Sequence, residues 1–306
     1  TDTHTYNTAV GYNAGGAVTT GDSNTLIGGL AGDALTTSSD NTAVGYLALS
    51  AQVAGASQNT AIGFKAGTAN TSGGGLTAVG RQAAESNTTG AENTVLGSLA
   101  LQNNTVGNKS VAIGRLALQD QNYGTSTDAF NVAVGFETGK SVTTGVQNTL
   151  IGGLAGDALT DADDNIAIGY AALTRDTLGS KTVAIGRGVL ANQNFTTATD
   201  SYNTAVGHLA GAEVTTGSAN TLIGGAAGDA LTEGAFCTFV GKDAGGSATT
   251  GFYNTFVGTG TVAGTGNFGS GQLMTTGAKN AFFGGYNGNQ NSLDLRTSSN
   301  NVVLSD

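Results

Sequence analysis

Proline and tryptophan are both absent from the 306 residues, and there is one cysteine and one methionine. Without proline the chain is not collagen, even though it holds 51 glycines, because a collagen helix needs both residues in a strict triplet. Cys237 has no partner for a disulfide within its own chain. Charged residues are scarce at 10%, and acids outnumber bases 21 to 11 for a net charge of −10. Such a chain, lacking any basic run, is poorly suited to phosphate backbones or anionic membranes. No stretch reaches the roughly 18 apolar residues of a membrane helix. No signal peptide is visible. The first residue is Thr1 rather than methionine, which leads us to expect a processed product or a fragment.

Catalytic residue types are equally sparse. The two histidines, His4 and His208, sit at unrelated positions. No Ser/His/Asp or Cys/His set can be built, and histidine-based zinc spacing is missing. Enzymatic activity is not expected, and no cofactor is expected either.

What the chain has is a repeat. Asn7-Thr8-Ala9-Val10-Gly11 returns as Asn24-Thr25-Leu26-Ile27-Gly28, Asn41-Thr42-Ala43-Val44-Gly45, Asn131-Val132-Ala133-Val134-Gly135 and Asn254-Thr255-Phe256-Val257-Gly258. The closing glycine marks 16 units from Gly11 to Gly284, mostly 17 residues apart, with intervals of 21 before Gly135 and Gly207 and of 26 before Gly284. A degenerate copy, Asn301-Val302-Val303-Leu304-Ser305, follows. Alanine then glycine or leucine usually stands three and four residues after the marker, as in Ala14-Gly15 and Ala48-Leu49. A Thr-Thr-Gly turn comes next, as at Thr19-Thr20-Gly21 and Thr215-Thr216-Gly217. At a larger scale, residues 131–202 align with 203 onward at an offset of 72.

The unit is too short and too rich in Gly, Thr, Val and Ile for helices. It predicts an all-β parallel β-solenoid, or β-roll, of about 17 short coils, with two short strands and two turns in each. At about 4.8 Å per coil the whole would be a rod roughly 80 Å long. The array is expected over 1–290, with 291–306 as a capping or junction strand. The third and fourth positions of the unit are both apolar, yet neighbouring strand residues point to opposite faces. One face fills the coil. The other needs a cover, and identical parallel chains are its natural source.

The first position is asparagine in 12 of 16 units and is expected to stack as an amide ladder. Cys237 replaces one of these asparagines and is expected to be a small buried thiol. The residue after the marker is often a ring or a cation, as at Tyr12, Tyr46, Phe64, Arg115, Phe136, Tyr170 and Arg187. It predicts either a stacked, exposed column able to touch sugars or simple stacking between coils.

Two groups carry the remaining chemistry. Acids cluster at Asp157, Asp161, Asp163 and Asp164, a weak Ca²⁺ candidate weighed against a solvated acidic turn. The long coils bring Asn122, Tyr123, Asp128 and Phe130, and in the second copy Asn194, Phe195, Asp200 and Tyr202. Rings beside amides and carboxylates suit carbohydrate binding. The alternative is that these rings plug the gap left by a longer turn. The extra residues themselves must project as a loop.

The Asn-Thr-Ala-Val-Gly…Ala-Leu…Thr-Thr-Gly pattern resembles bacteriophage tail-fibre-like repeat proteins. Ser110-Val111-Ala112-Ile113-Gly114 is similar, more distantly, to the head repeats of trimeric autotransporter adhesins. The stretch from Leu293 to Asp306 looks like the segment that ends repeat arrays in phage fibres. The resemblance implies a left-handed β-roll, a homotrimer, and attachment to host-surface polysaccharide or a receptor from a virion or cell surface. It implies no nucleic acid and no membrane insertion. The 17-residue period is longer than that of the adhesin heads, which favours the phage reading. Other readings are a bacterial adhesin, a filament or surface-layer subunit, a polysaccharide-degrading fibre, or an ice-binding solenoid with the Thr8, Thr25, Thr42, Thr60 column.

Overall fold

The computed structural model describes residues 5–53, 55, 57–262, 266–290 and 292–305. The chain divides into two compact units, Thr1–Ile151 and Gly152–Asp306. Each is a parallel β-solenoid, and together they hold about 17 turns of about 17 residues. No helix occurs among the described residues. In the first unit nine three-residue rungs run from Thr8–Val10 to Thr149–Ile151. Each pairs in parallel with the rung of the next coil at matching repeat positions, as in Thr25↔Thr42 and Ala43↔Ala61. In the second, eight rungs run from Ile166–Ile168 to Val302–Leu304 with the same register.

Period-2 alternation places the side chains. From Leu26 to Phe282 the third position of every rung has no accessible surface. The second and fourth positions, mostly threonine or valine and then valine or isoleucine (with Ile166 and Ala281 at the second and Leu96, Phe283 and Leu304 at the fourth), are exposed or half-exposed in every rung. No charged or amide side chain occurs at either outward position in any rung.

The marker glycine is dictated by two constraints. Its φ lies between +106° and +145° throughout, and a Cβ on Gly28 would sit 2.6 Å from the carbonyl oxygen of Gly45 in the next coil. Glycine alone meets both conditions.

The asparagine column is a ladder, but mainly from side chain to backbone. Asn24 Oδ1 accepts the Asn41 N–H at 3.0 Å, and Asn220 Oδ1 accepts the Cys237 N–H at 2.9 Å. Most Nδ2 groups then reach a turn carbonyl, as Asn220 does to Gly234 O at 2.9 Å. Direct amide-to-amide bonds are the minority, such as Asn41 to Asn24 at 3.0 Å. Cys237 stands buried in this column, its Sγ 3.2 Å from Gly251 O. Burial pushes its thiol pKa up to about 11.

Most short coils have one strand rather than the two expected; those that precede a 21-residue coil add a two-residue strand, Gly107–Asn108 or Gly179–Ser180. The second run is in register and hydrogen-bonded from coil to coil, as Leu47 N to Gly29 O at 3.1 Å and Lys65 N to Tyr46 O at 2.9 Å. It is not extended, because left-handed residues recur in it: Leu47 has φ 59°, Leu49 50° and Lys65 55°.

The Thr-Thr-Gly turn gathers on one carbonyl. Thr36 O accepts the N–H groups of Thr19, Thr20 and Gly21 and the Thr19 hydroxyl. In the longest coil, Thr259–Val262 and Gly266–Gly269 pair antiparallel as a hairpin. Asn289–Gln290 pairs antiparallel with Leu293–Asp294, and Val302–Leu304 lies parallel to Ala281–Phe283.

Candidate functional site

The four extra residues of each 21-residue coil build a small second ladder. Gly107–Asn108 pairs with Thr127–Asp128 in the first unit, and Gly179–Ser180 pairs with Thr199–Asp200 in the second. This pairing sets Asp128 beside Lys109, and Asp200 beside Lys181. Lys109 Nζ lies 2.5 Å from Asp128 Oδ2, and Asn108 Nδ2 donates to Asp128 Oδ1 at 3.1 Å. Lys109 Nζ also stands 5.3 Å from the Phe130 ring centroid. In the second copy Lys181 Nζ lies 2.5 Å from Asp200 Oδ2 and 5.4 Å from the Tyr202 centroid. The Tyr202 hydroxyl donates to Asp200 Oδ2 at 3.1 Å.

The charges are matched. Lys109 and then Asn108 hold the Asp128 carboxyl below its ordinary range, and Asp128 raises Lys109 in turn. Lys181, with a further bond from Tyr202, does the same for Asp200, which raises Lys181. Both acids are ionised at neutral pH, and both pairs are exposed to solvent. They orient one another and contribute little to stability.

The structure divides the seven sequence-selected residues. Tyr123 is 6% exposed and Phe195 is 7% exposed. The Tyr123 hydroxyl donates to Gly145 O at 2.8 Å. A Cβ on Gly107 would meet the Tyr123 ring at 2.7 Å, and one on Gly179 the Phe195 ring at 2.8 Å. These two rings fill the space opened by the longer turn, with no face left for a sugar. They leave the candidate site.

Asn122, Asp128, Asn194, Asp200 and Tyr202 are exposed. Asn122 Oδ1 accepts the Thr105 hydroxyl at 2.6 Å, and Asn194 Oδ1 accepts that of Thr177 at 3.1 Å. Asp200 and Tyr202 are brought into contact, with Lys181 as the third member. Sequence reasoning missed Lys109 and Lys181, although the 72-residue offset aligns them with each other.

The acidic cluster does not assemble. Among the described residues no three His, Cys, Asp or Glu side chains come close enough to share a metal ion. Asp157 Oδ1 instead accepts the Thr174 hydroxyl at 2.6 Å. Asp163 uses its backbone to receive the Lys181 N–H at 3.0 Å. Asp161 and Asp164 are exposed. His4 lies outside the described residues.

The column after the marker glycine is exposed and stacked in part. Tyr46 and Phe64 stack at 5.8 Å. The Arg115 guanidinium lies 5.5 Å from the Phe136 ring, and that of Arg187 lies 6.0 Å from Tyr170. Arg187 Nη1 is also 3.3 Å from His208 Nε2. A second column, absent from the sequence reading, stands immediately before the asparagine. Its members have φ near 55°, including Lys109, Phe130, Lys181, Tyr202, Ala219, Phe236 and Tyr253. Both columns present rings and charges outward on a fixed coil spacing. Comparison with known proteins gives no match to any family model, and no curated protein is significantly similar to the chain.

Proposed function

We propose that this chain is a non-enzymatic structural and adhesive module of the tail-fibre type. In this reading identical copies pack through the outward Thr-x-Val/Ile face, and side chains away from that face attach to host-surface polysaccharide. A virion fibre is the favoured setting, with a bacterial surface adhesin or extracellular filament as the alternative.

The observation that carries the reading is the composition of the outward face. Its two positions are exposed or half-exposed yet uncharged in every rung. A surface facing water along many coils would ordinarily be broken by Lys, Glu or Asp. A sheet face with aliphatic side chains on every rung suits burial against another sheet. The matching residues on each coil suit a symmetric set of identical chains. The number three comes from the resemblance to fibre and adhesin repeats. Sedimentation velocity tests the assembly: three chains per particle are expected, and a folded, soluble single chain overturns it.

One observation favours a second reading. Thr8, Thr25, Thr42, Thr60, Thr77 and Thr94 stand on consecutive rungs of the outward face. A regular hydroxyl array of that kind would suit ice, and thermal hysteresis in dilute solution would favour it over assembly.

A further inference from the structure

The column that precedes the asparagine has one gap in the second unit. Tyr202, Ala219, Phe236 and Tyr253 occupy it on four consecutive coils, with φ of 50°, 56°, 59° and 60°. Their backbones are in register: Ala219 N donates to Ser201 O, Phe236 N to Ser218 O and Tyr253 N to Ala235 O, at 2.7 to 3.1 Å. Phe236 and Tyr253 stack at 5.0 Å with their planes 9° apart. The rings of this column therefore follow the coil spacing. Ala219 offers only a methyl group where the next ring would stand.

The outer neighbours are already covered on their far sides. Lys181 Nζ lies on one side of Tyr202, 5.4 Å from its centroid. Tyr253 covers one face of Phe236. Tyr202, Phe236 and Tyr253 nevertheless remain 59%, 52% and 55% exposed. Coil order puts Lys181 and Tyr253 on the outer sides, so the faces left uncovered on Tyr202 and Phe236 are those on the Ala219 side. Two coil steps separate them, about 9.6 Å. Each ring face lies about 4.8 Å from the midpoint, which is the stacking distance this column adopts for its own rings.

We infer that the Tyr202–Ala219–Phe236 gap is a binding slot for one uncharged pyranose ring, held between two aromatic faces. The inference rests on the attachment reading above and gives it a place and a ligand class. Carbon atoms of a sugar make their best contact with a ring at about 3.5 to 4.0 Å, and the puckered chair takes up the remaining width. Rim groups are the kind that hydroxyls need. Asp200 is an ionised acceptor, held in place by Lys181 from the far side of Tyr202. The Tyr202 hydroxyl is held at the same carboxylate. A nucleotide would bring phosphate to a chain of net charge −10, which disfavours it.

The offset of 72 supplies an internal contrast. Gln147 stands where Ala219 stands, and Asp164 where Phe236 stands. Phe130, the counterpart of Tyr202, thus has neither a small neighbour nor a facing ring in its own copy.

Ligand-observed saturation-transfer NMR on the full chain tests the slot. The probes are the methyl pyranosides of glucose, galactose, mannose and N-acetylglucosamine, with adenosine as the flat aromatic competitor. At least one pyranoside should show transfer to its ring C–H protons, with an affinity of about millimolar. Ala219→Gln should reduce that signal at least tenfold. Glutamine is already carried in the same left-handed conformation at Gln58 and Gln147, so the variant is expected to fold. Phe236→Ser should have the same effect. Full binding by Ala219→Gln overturns the slot and leaves attachment standing. Transfer to adenosine alone also overturns it. If the wild-type chain takes none of the pyranosides and no immobilised polysaccharide, slot and carbohydrate attachment fall together.

Discussion

At the residue scale the core is governed by volume exchange between two positions of the coil. Where the third position is leucine or phenylalanine, the position four after the marker is glycine, except in the longest coil, where Gly271 takes that place. A Cβ on Gly245 would meet the Phe239 ring at 2.5 Å, and one on Gly271 the Phe256 ring at 2.5 Å. Where the third position is alanine, leucine takes the other place in four coils, as with Ala43 and Leu49 or Ala112 and Leu118, all fully buried, whereas Ala61, Ala133 and Ala205 are followed by Gly67, Gly139 and Gly211. Phe239, Phe256 and Phe282 stack through the core at 4.9 Å steps. Gly245→Leu should therefore overpack and destabilise by at least about 1–3 kcal/mol. Phe256→Ala should leave a cavity costing about 3–5 kcal/mol. Both are read from the shift in chemical-denaturation midpoint.

Cys237 gives a pH test at the same scale. Burial raises its thiol from the ordinary 9.0 to about 11, so the folded state keeps the proton longer than the unfolded chain. The stabilising contribution is complete below pH 9 and is lost as pH rises from about 9 to about 11. A thiol-specific reagent at pH 7 should label the native protein far more slowly than the urea-unfolded protein. Equal rates would place Cys237 at the surface.

At the element scale the unusual feature is the left-handed residue. Ala171 has φ 53° and is half-buried, so glycine there would lose only a methyl group. A left-handed alanine costs about 1–2 kcal/mol, and glycine adds about 0.5–1 kcal/mol of unfolded-state entropy. Ala171→Gly should thus gain up to about 1 kcal/mol. Ala172→Gly, next in the chain but fully buried, should lose stability. Thermal unfolding of the two variants checks the opposite signs.

This feature also explains what the sequence could and could not reveal. The period was legible because glycine is obligatory at Gly11, Gly28 and Gly45. The long coils and the two apolar positions followed from that count, but which of the two turns inward did not. The second strand was not legible correctly. Leu47, Leu49 and Lys65 carry no sequence sign of a left-handed backbone, since the inter-coil hydrogen bonds and packing impose it. The inward turn of Tyr123 and Phe195 was equally hidden. It depends on Gly107 and Gly179, which belong to the preceding coil. The ring column through Tyr202, Phe236 and Tyr253 was in plain view, but its meaning needed the stacking distance.

At the scale of the whole molecule the open question is what covers the outward face. Charge is the sharpest probe, because that face has none. Ile27 in the first unit and Ile223 in the second are outward and exposed, so aspartate at either position need not disturb the coil interior. A carboxylate buried there between copies would have no partner, at a cost of several kcal/mol. Each identical chain in the particle would repeat that cost. Ile223→Asp should thus sediment as a folded single chain at concentrations where the wild type is assembled. A change at the other face, such as Asp164→Asn, should leave the assembly intact. Salt separates the forces involved. An apolar interface should persist at about 1 M salt, where exposed ion pairs are screened, and sulfate should strengthen it. Dissociation of the wild type by sodium chloride alone would mean that charged rims such as Lys181–Asp200, rather than the Thr-x-Val/Ile face, hold the copies together.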